Sequence, residues 1–324
     1  MKYRVLGKTG WKVSEIGFGA WQIGGAHWGD QKDDDSLKAL HASIDRGVNF
    51  IDTAAFYGDG RSERLIGKVL KERSEDIYVC TKTPPDEGPW PPTPYCRSEE
   101  RYSEEYLRKN VEERMQMLGV NQLDILLLHT WTRAWNKDPY PLKILDKLKK
   151  EGKIKFIGIS TPEHDQNSIN DLIRDGFIDV AEVIYNIFEQ EPTAQLFPLA
   201  EEHNVGIIGR VPFDEASLTG KFTKDTKFTE NDFRNKYFSG DRLNRTLERV
   251  EKLERDIEDT DLSLIQIALL FVLEHTAIST VIPGMRNIDH VKANTAVSDL
   301  PPLSKELLKK LRDHAWQKAF WYGG

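Results

Sequence analysis

Short apolar runs, rich in β-branched and aromatic residues, recur along the chain between longer amphipathic stretches. They fall at 16–21, 48–51, 77–80, 123–128, 154–159, 180–184, 205–208 and 278–282, which makes eight candidate strands. The runs are continuously apolar rather than alternating, as expected of parallel strands covered on both faces. The stretches 33–46, 62–71, 103–118, 141–150, 165–174, 193–202, 264–273 and 288–296 read as helices. Their ends carry the usual signals. Acidic residues open 33–46, Ser103 precedes two glutamates, Gly119 follows 103–118, and basic residues then Gly152 close 141–150. Segment 264–273 is apolar nearly all round and is expected to be buried.

Eight strand–helix units in one open sheet would be unusually wide. Closing them predicts an α/β fold, a (β/α)8 TIM barrel, for which about 250 residues is typical. The 324 residues leave a surplus with identifiable places. These are an N-terminal hairpin within 1–15, a Pro-rich loop at 83–102, a long loop and charged helix within 209–260 after strand seven, and a last helix with an aromatic tail at 303–324. No linker or longer repeat interrupts the pattern, so one domain over 1–324 is expected. The competing arrangement, a doubly wound sheet, calls for a glycine-rich phosphate loop. Gly17-Phe18-Gly19 is followed by Gln22 where the third glycine should stand, and no Walker loop occurs.

Composition narrows the function. Lys and Arg total 45 against 52 Asp and Glu, a net charge of −7, so the basic footprint of nucleic-acid binding is missing. No apolar run approaches the ~20 residues of a membrane span. Met1 to Gly7 contains no apolar stretch of the secretory kind, and Cys80 and Cys96 do not make a disulfide framework. The expectation is a cytoplasmic protein acting on a small molecule.

In a barrel the reactive face is formed by the C-terminal strand ends. Three consecutive runs finish in an ionisable residue: Asp52, Lys82 and His129, with Tyr57 five residues beyond Asp52. Each has a plainer explanation taken alone: a loop cap, a snorkelling lysine, a hydrogen-bonded histidine, a packed aromatic. Together they form a chemically coherent set. An ammonium stabilises phenolate and lowers the phenol pKa from its usual ~10, while a carboxylate holds the ammonium in place. The expected outcome is a tyrosine that gives up a proton near neutral pH, with histidine orienting the substrate oxygen. The set contains no nucleophile, and the eight histidines show no metal-ligand spacing. Protonation of an oxygen while a cofactor supplies hydride is carbonyl reduction.

Gly47 through Ala54 followed by Tyr57-Gly58 resembles the signature of the aldo-keto reductase family. So do Ser62-Glu63, Leu65-Ile66-Gly67, Thr81-Lys82, Leu123-Asp124 through His129, Gly152-Lys153-Ile154 and Gly158-Ile159-Ser160, and the likeness extends from Arg4 to Asn294. The resemblance implies a (β/α)8 barrel with Asp52, Tyr57, Lys82 and His129 as catalytic tetrad and Tyr57 as general acid. It also implies a nicotinamide cofactor extended across the strand ends. Ser160 matches the residue beside the carboxamide. Thr161 stands where Asn is usual, Glu182 where Gln is usual, and Arg210 where an aromatic often covers the ring. The segment Ser217 to Lys221, with Leu218 and Lys221 as contacts, resembles the diphosphate strap. Gly284 and Arg286 precede the last barrel helix, and Arg286 is expected at a 2′-phosphate, favouring NADPH over NADH. His290 and Asn294 complete that end, His290 in place of a more usual polar residue.

Trp21, Trp28, Phe56 and Trp131 are the expected substrate-pocket aromatics, with Trp90, Trp321 and Tyr322 as further candidates. The implied substrate is an aldehyde, ketone or sugar-like carbonyl. Two other readings share the resemblance: a cofactor-binding regulatory subunit like the potassium-channel partners of this fold, and an enzyme that keeps its cofactor for internal redox such as epimerisation.

Overall fold

The computed structural model describes residues 1–25 and 28–316. Trp321 and Tyr322 lie outside the described residues. The eight expected runs become β3 (Phe18–Gly19), β4 (Phe50–Asp52), β5 (Tyr78–Thr83), β6 (Leu123–Leu128), β7 (Ile154–Ser160), β8 (Val180–Ile184), β9 (Gly206–Arg210) and β10 (Ile278–Val281). Every neighbouring pair is parallel, in sequence order. The sheet closes through parallel bridges from Ile16 to Val281 and from Gly19 to Gly284, with Gly17 N donating to Val281 O at 2.8 Å and Gly19 N to Pro283 O at 3.0 Å. A Cβ on Gly19 would lie 2.5 Å from Ile282 O, so the seam closes only around glycine.

Two apolar layers explain why the strand runs are unbroken. Within β6, Ile125 and Leu127 point into the barrel, where they meet Phe50, Cys80, Val180 and Ile208. Leu123, Leu126 and Leu128 join the larger cluster between strands and helices. The hairpin β1 (Tyr3–Val5) and β2 (Lys12–Ser14) is antiparallel and plugs the N-terminal end. Its Leu6 and Val13 join the barrel interior, and Trp11 stacks on Tyr78 with ring centroids 4.4 Å apart. The hairpin therefore covers the N-terminal end, and the C-terminal strand ends form the mouth of the barrel.

Most helices follow the expected bounds. Glu104–Leu118 is capped by the Ser103 side chain and stopped by Gly119 at φ 68°. Leu264–Leu273 is buried and starts with a Ser263–Gln266 capping box. Two differ. The stretches expected at 165–174 and 193–202 open as 3-10 turns, Gln166–Ile169 and Glu191–Ala194, before α-helices Asn170–Arg174 and Leu196–Glu202. In the first, Gln166 is buried and its Oε1 accepts from Ile184 N at 2.6 Å, a long-range bond that overrides the local preference. In the second, Gln195 at φ −138° separates the two pieces. The charged helix after β9, expected from Thr246 to Glu258, runs instead over Arg242–Asp256, one turn earlier, and places Arg242 over the Tyr237 ring at 3.8 Å. The last described helix is Lys305–Arg312. Among the described residues no helix is long and apolar enough to cross a membrane.

Candidate active site

Asp52 ends β4, Lys82 lies near the end of β5, and His129 follows β6, so the register brings the three together at the open mouth. Tyr57 reaches them from the loop after β4. That loop packs against the 3-10 turn Gln22–Gly24 so closely that a Cβ on Gly58, at φ 66°, would lie 2.1 Å from Gly24 O. The Tyr57-Gly58 pair thus has a backbone reason: glycine permits the contact that aims the preceding phenol inward.

Lys82 is fully buried. Its Nζ donates to Asp52 Oδ1 at 2.6 Å and Oδ2 at 2.8 Å, to Thr53 O at 3.0 Å and to Tyr57 Oη at 3.3 Å. Glu182 Oε2 lies 3.1 Å from the same Nζ. The His129 and Tyr57 rings meet edge-on with centroids 6.0 Å apart, and Trp21 stacks on Tyr57 at 5.8 Å. All four members of the expected tetrad therefore converge.

The electrostatics differ from the sequence expectation. Burial raises the Tyr57 hydroxyl above the ordinary phenol range; Lys82 pulls it down, while Asp52 and Glu182 add to the rise. The net direction is upward, because burial, with the two carboxylates added to it, outweighs the pull of the ammonium. Burial opposes the Lys82 charge, yet Asp52 and Glu182 together hold its ammonium well above the lysine range. Burial, reinforced by Glu182, pushes Asp52 up against the pull of Lys82. Burial, then Lys82 and Arg210, holds the His129 imidazolium well below its usual pKa, so the ring is neutral near pH 7. Such a site presents a protonated phenol and a neutral imidazole to a bound carbonyl oxygen.

Above these residues is a cavity of about 690 Å³. One part is aromatic: Trp21, Trp28, Phe56 and Trp90 line it, with Phe56 and Trp90 each 54% exposed at the rim. Trp131 does not line it. Its ring is fully buried, Nε1 donates to Asn136 Oδ1 at 2.8 Å, and Trp135 packs edge-on against it. The residue after His129-Thr130 points away from the mouth and into the layer behind β6.

The other part is polar. Ser160, Thr161, Glu182 and Arg210 line its floor. Ser160 Oγ donates to Glu182 Oε1 at 3.3 Å, and Arg210 Nη2 donates to Thr161 O at 3.0 Å. Lys221, Gly284, Arg286, His290 and Asn294 lie at its far end. Leu218 is buried beneath the strap, so Thr219 and Lys221, rather than its side chain, face the cavity. Arg286 is engaged: Nε donates to Gln31 Oε1 at 2.9 Å and Nη1 to Trp28 O at 3.2 Å, with Asp30 O on Nη2. It fastens the 28–31 segment over the groove. Gln22 and Arg234 also line the cavity. Gln22 matters because a Cβ on Gly284 would lie 2.8 Å from its amide, and Arg234 sits 4.5 Å over the Trp28 ring. Neither carries a sequence signal: Gln22 lies three residues beyond β3 in a segment of mixed composition, and Arg234 lies in the long stretch after β9.

The arrangement fits a long polar ligand. Gly284 keeps the groove open where any side chain would meet Gln22. Gln22 Oε1, His129 Nδ1, Trp21 Nε1 and Trp28 Nε1 are buried without a hydrogen-bond partner among the described residues. By contrast, Ser62 and Glu63 of the sequence motif are scaffold. Ser62 Oγ donates to Ala20 O at 3.1 Å, and Glu63 pairs with Arg114 at 2.8 Å while accepting from Thr81 Oγ1 at 2.6 Å.

The model of the aldo/keto reductase family matches residues 15–315. The chain is similar to an uncharacterised oxidoreductase, YqkF, of Bacillus subtilis, with 27% identity over 99% of this chain and 98% of that protein. Among solved structures it is similar to an aldo-keto reductase from Bacillus halodurans in its holo form, with a TM-score of 0.78, 26% identity and 98% of both chains covered. A glycerol dehydrogenase from Gluconobacter oxydans gives a TM-score of 0.77 at 26% identity, covering 97% of this chain and 94% of that one.

Proposed function

The chain belongs to the aldo/keto reductase family, and from that premise we propose that it reduces an aldehyde, ketone or sugar-like carbonyl to the alcohol, with Tyr57 as proton donor. The observation that carries this reading is the contact of Tyr57 Oη with a Lys82 ammonium that Asp52 clamps through both carboxylate oxygens. A nicotinamide cofactor, NADPH ahead of NADH, supplies the hydride. Ser160, Thr161, Glu182 and Arg210 would hold its nicotinamide end. Lys221, Gly284, Arg286, His290 and Asn294 would hold its phosphate and adenosine end.

The chain's own residues do the rest. His129, neutral and with a buried unpartnered Nδ1, orients the substrate oxygen toward the mouth of the tetrad. Tyr57 passes its proton to that oxygen as negative charge develops there, and Lys82 steadies the phenolate left behind. Trp21, Trp28, Phe56 and Trp90 exclude water and grip the apolar part of the substrate. The aromatic rim suits aldehydes and ketones that carry an apolar group.

The test is Tyr57→Phe, with reduction of a panel of aldehydes, ketones and sugars followed alongside quenching of bound NADPH fluorescence. Loss of a positioned general acid lowers turnover by roughly 10²–10⁴-fold. Cofactor quenching should persist. Turnover at the wild-type level in this variant would remove Tyr57 from its role.

A further inference from the structure

The three N–H bonds of Lys82 face five oxygens, and Tyr57 is the most distant. Asp52 takes the contacts at 2.6 and 2.8 Å, Thr53 O lies at 3.0 Å, Glu182 Oε2 at 3.1 Å and Tyr57 Oη at 3.3 Å. Glu182 is thus a second carboxylate on the same ammonium, 1% exposed and in register with Ser160 on the neighbouring strand. It is fixed from the other side as well. Its Oε1 accepts from Ser160 Oγ at 3.3 Å and lies 3.7 Å from Arg210 Nε, while Arg210 is itself tied to Thr161 O. A glutamine here would supply similar shape and one acceptor but no charge.

On the reading of Tyr57 as proton donor, we propose that Glu182 is a positioning residue that draws Lys82 away from the Tyr57 hydroxyl, so that the site gives a proton across neutral pH and accepts one only in alkali. Carbonyl reduction needs the first state, and alcohol oxidation, its reverse, needs the second. The charged and titratable groups facing Tyr57 are Asp52 on β4, Lys82 on β5, His129 after β6 and Glu182 on β8. Of these, Asp52 and Glu182 oppose the phenolate, and Lys82 alone supports it. Removing the Glu182 charge deletes one opponent and returns a share of the Lys82 field to Tyr57.

The experiment compares wild type with Glu182→Gln. The first readout is the pH profile of alcohol oxidation, which rises as Tyr57 becomes able to accept a proton. In the variant this limb should move toward neutrality by about one pH unit or more, the size of effect a close charge exerts. Each unit of movement is roughly a tenfold gain in oxidation at pH values below the limb. The second readout uses the protein without cofactor. Ultraviolet phenolate titration of each protein, minus the same titration of its Tyr57→Phe counterpart, isolates the Tyr57 hydroxyl. Its ionisation should come at lower pH in Glu182→Gln than in wild type. Glu182→Asp keeps the charge but withdraws it from Lys82; it should move the titration in the same direction by less, and it serves where the glutamine variant does not fold. A Tyr57 titration unmoved in these variants overturns the inference. If Tyr57→Phe is inactive in that case, the proton-donor reading stands without it; if Tyr57→Phe stays active, the reading itself fails.

Discussion

Replacing Lys82 with methionine isolates the interaction on which the tetrad is built. The side chain is similar in length, so the buried volume is kept while the charge is lost. The ammonium lies 2.6 Å from Asp52 and 3.1 Å from Glu182. At an effective dielectric of ~20 these contacts correspond to gross attractions of roughly 6 and 5 kcal/mol. Desolvation of the buried ammonium offsets several kcal/mol of that sum, and removal of one partner from a buried ion pair costs about 3–5 kcal/mol. The variant should be less stable by about that amount at neutral pH and above. The pH dependence follows from the carboxylates left behind. Asp52 is already raised by burial and Glu182, and without the ammonium its folded-state pKa rises further. A carboxyl raised on folding favours the protonated native state, so the deficit is least below the unfolded value of ~3.9 and grows as pH climbs through the raised one. Urea denaturation at pH 5 and pH 8, beside wild type, measures this directly. The deficit at pH 8 should exceed that at pH 5, and reduction should be lost at both. Deficits of under ~1 kcal/mol at both pH values would refute the reasoning, because they would mean that the two carboxylates never depended on the ammonium.

Arg286→Ala should weaken NADPH by about 10- to 100-fold, the worth of a charged hydrogen bond to phosphate, and NADH far less; fluorescence quenching with each cofactor would read it, and equal losses would dismiss the phosphate contact. In Arg114→Met, Glu63 loses its 2.8 Å partner, so thermal melting at pH 8 should reveal a cost of about 3–5 kcal/mol. Burial, against the pull of Arg114, has already pushed the Glu63 carboxyl up to about 7, so that cost should shrink as the pH falls and Glu63 takes up a proton. A melting deficit independent of pH would instead point to packing.

The barrel and its reactive edge were legible because they depend on local pattern. Continuous apolar runs such as Ile125 to Leu128 can be buried on both faces only in a parallel sheet with a filled interior, and ionisable residues at three successive run ends must then share one face. Asp52, Lys82 and His129 follow from counting along the chain. Contacts between distant segments do not. Trp131 lies two residues beyond His129, yet its ring turns outward to Trp135 and Asn136; adjacency in sequence says nothing about which side of the strand end a loop takes. Arg286 carries the charge expected of a phosphate contact, but whether that charge is free or fastened to Trp28, Asp30 and Gln31 depends on how the 28–31 segment folds back across the groove. The same holds for the proposed proton donor. The sequence supplies a phenol and an ammonium, whereas the sign of their combined effect comes from burial and from the Glu182 carboxylate reaching Lys82 from β8. Coulomb forces act through space, and only closure of the barrel sets those distances.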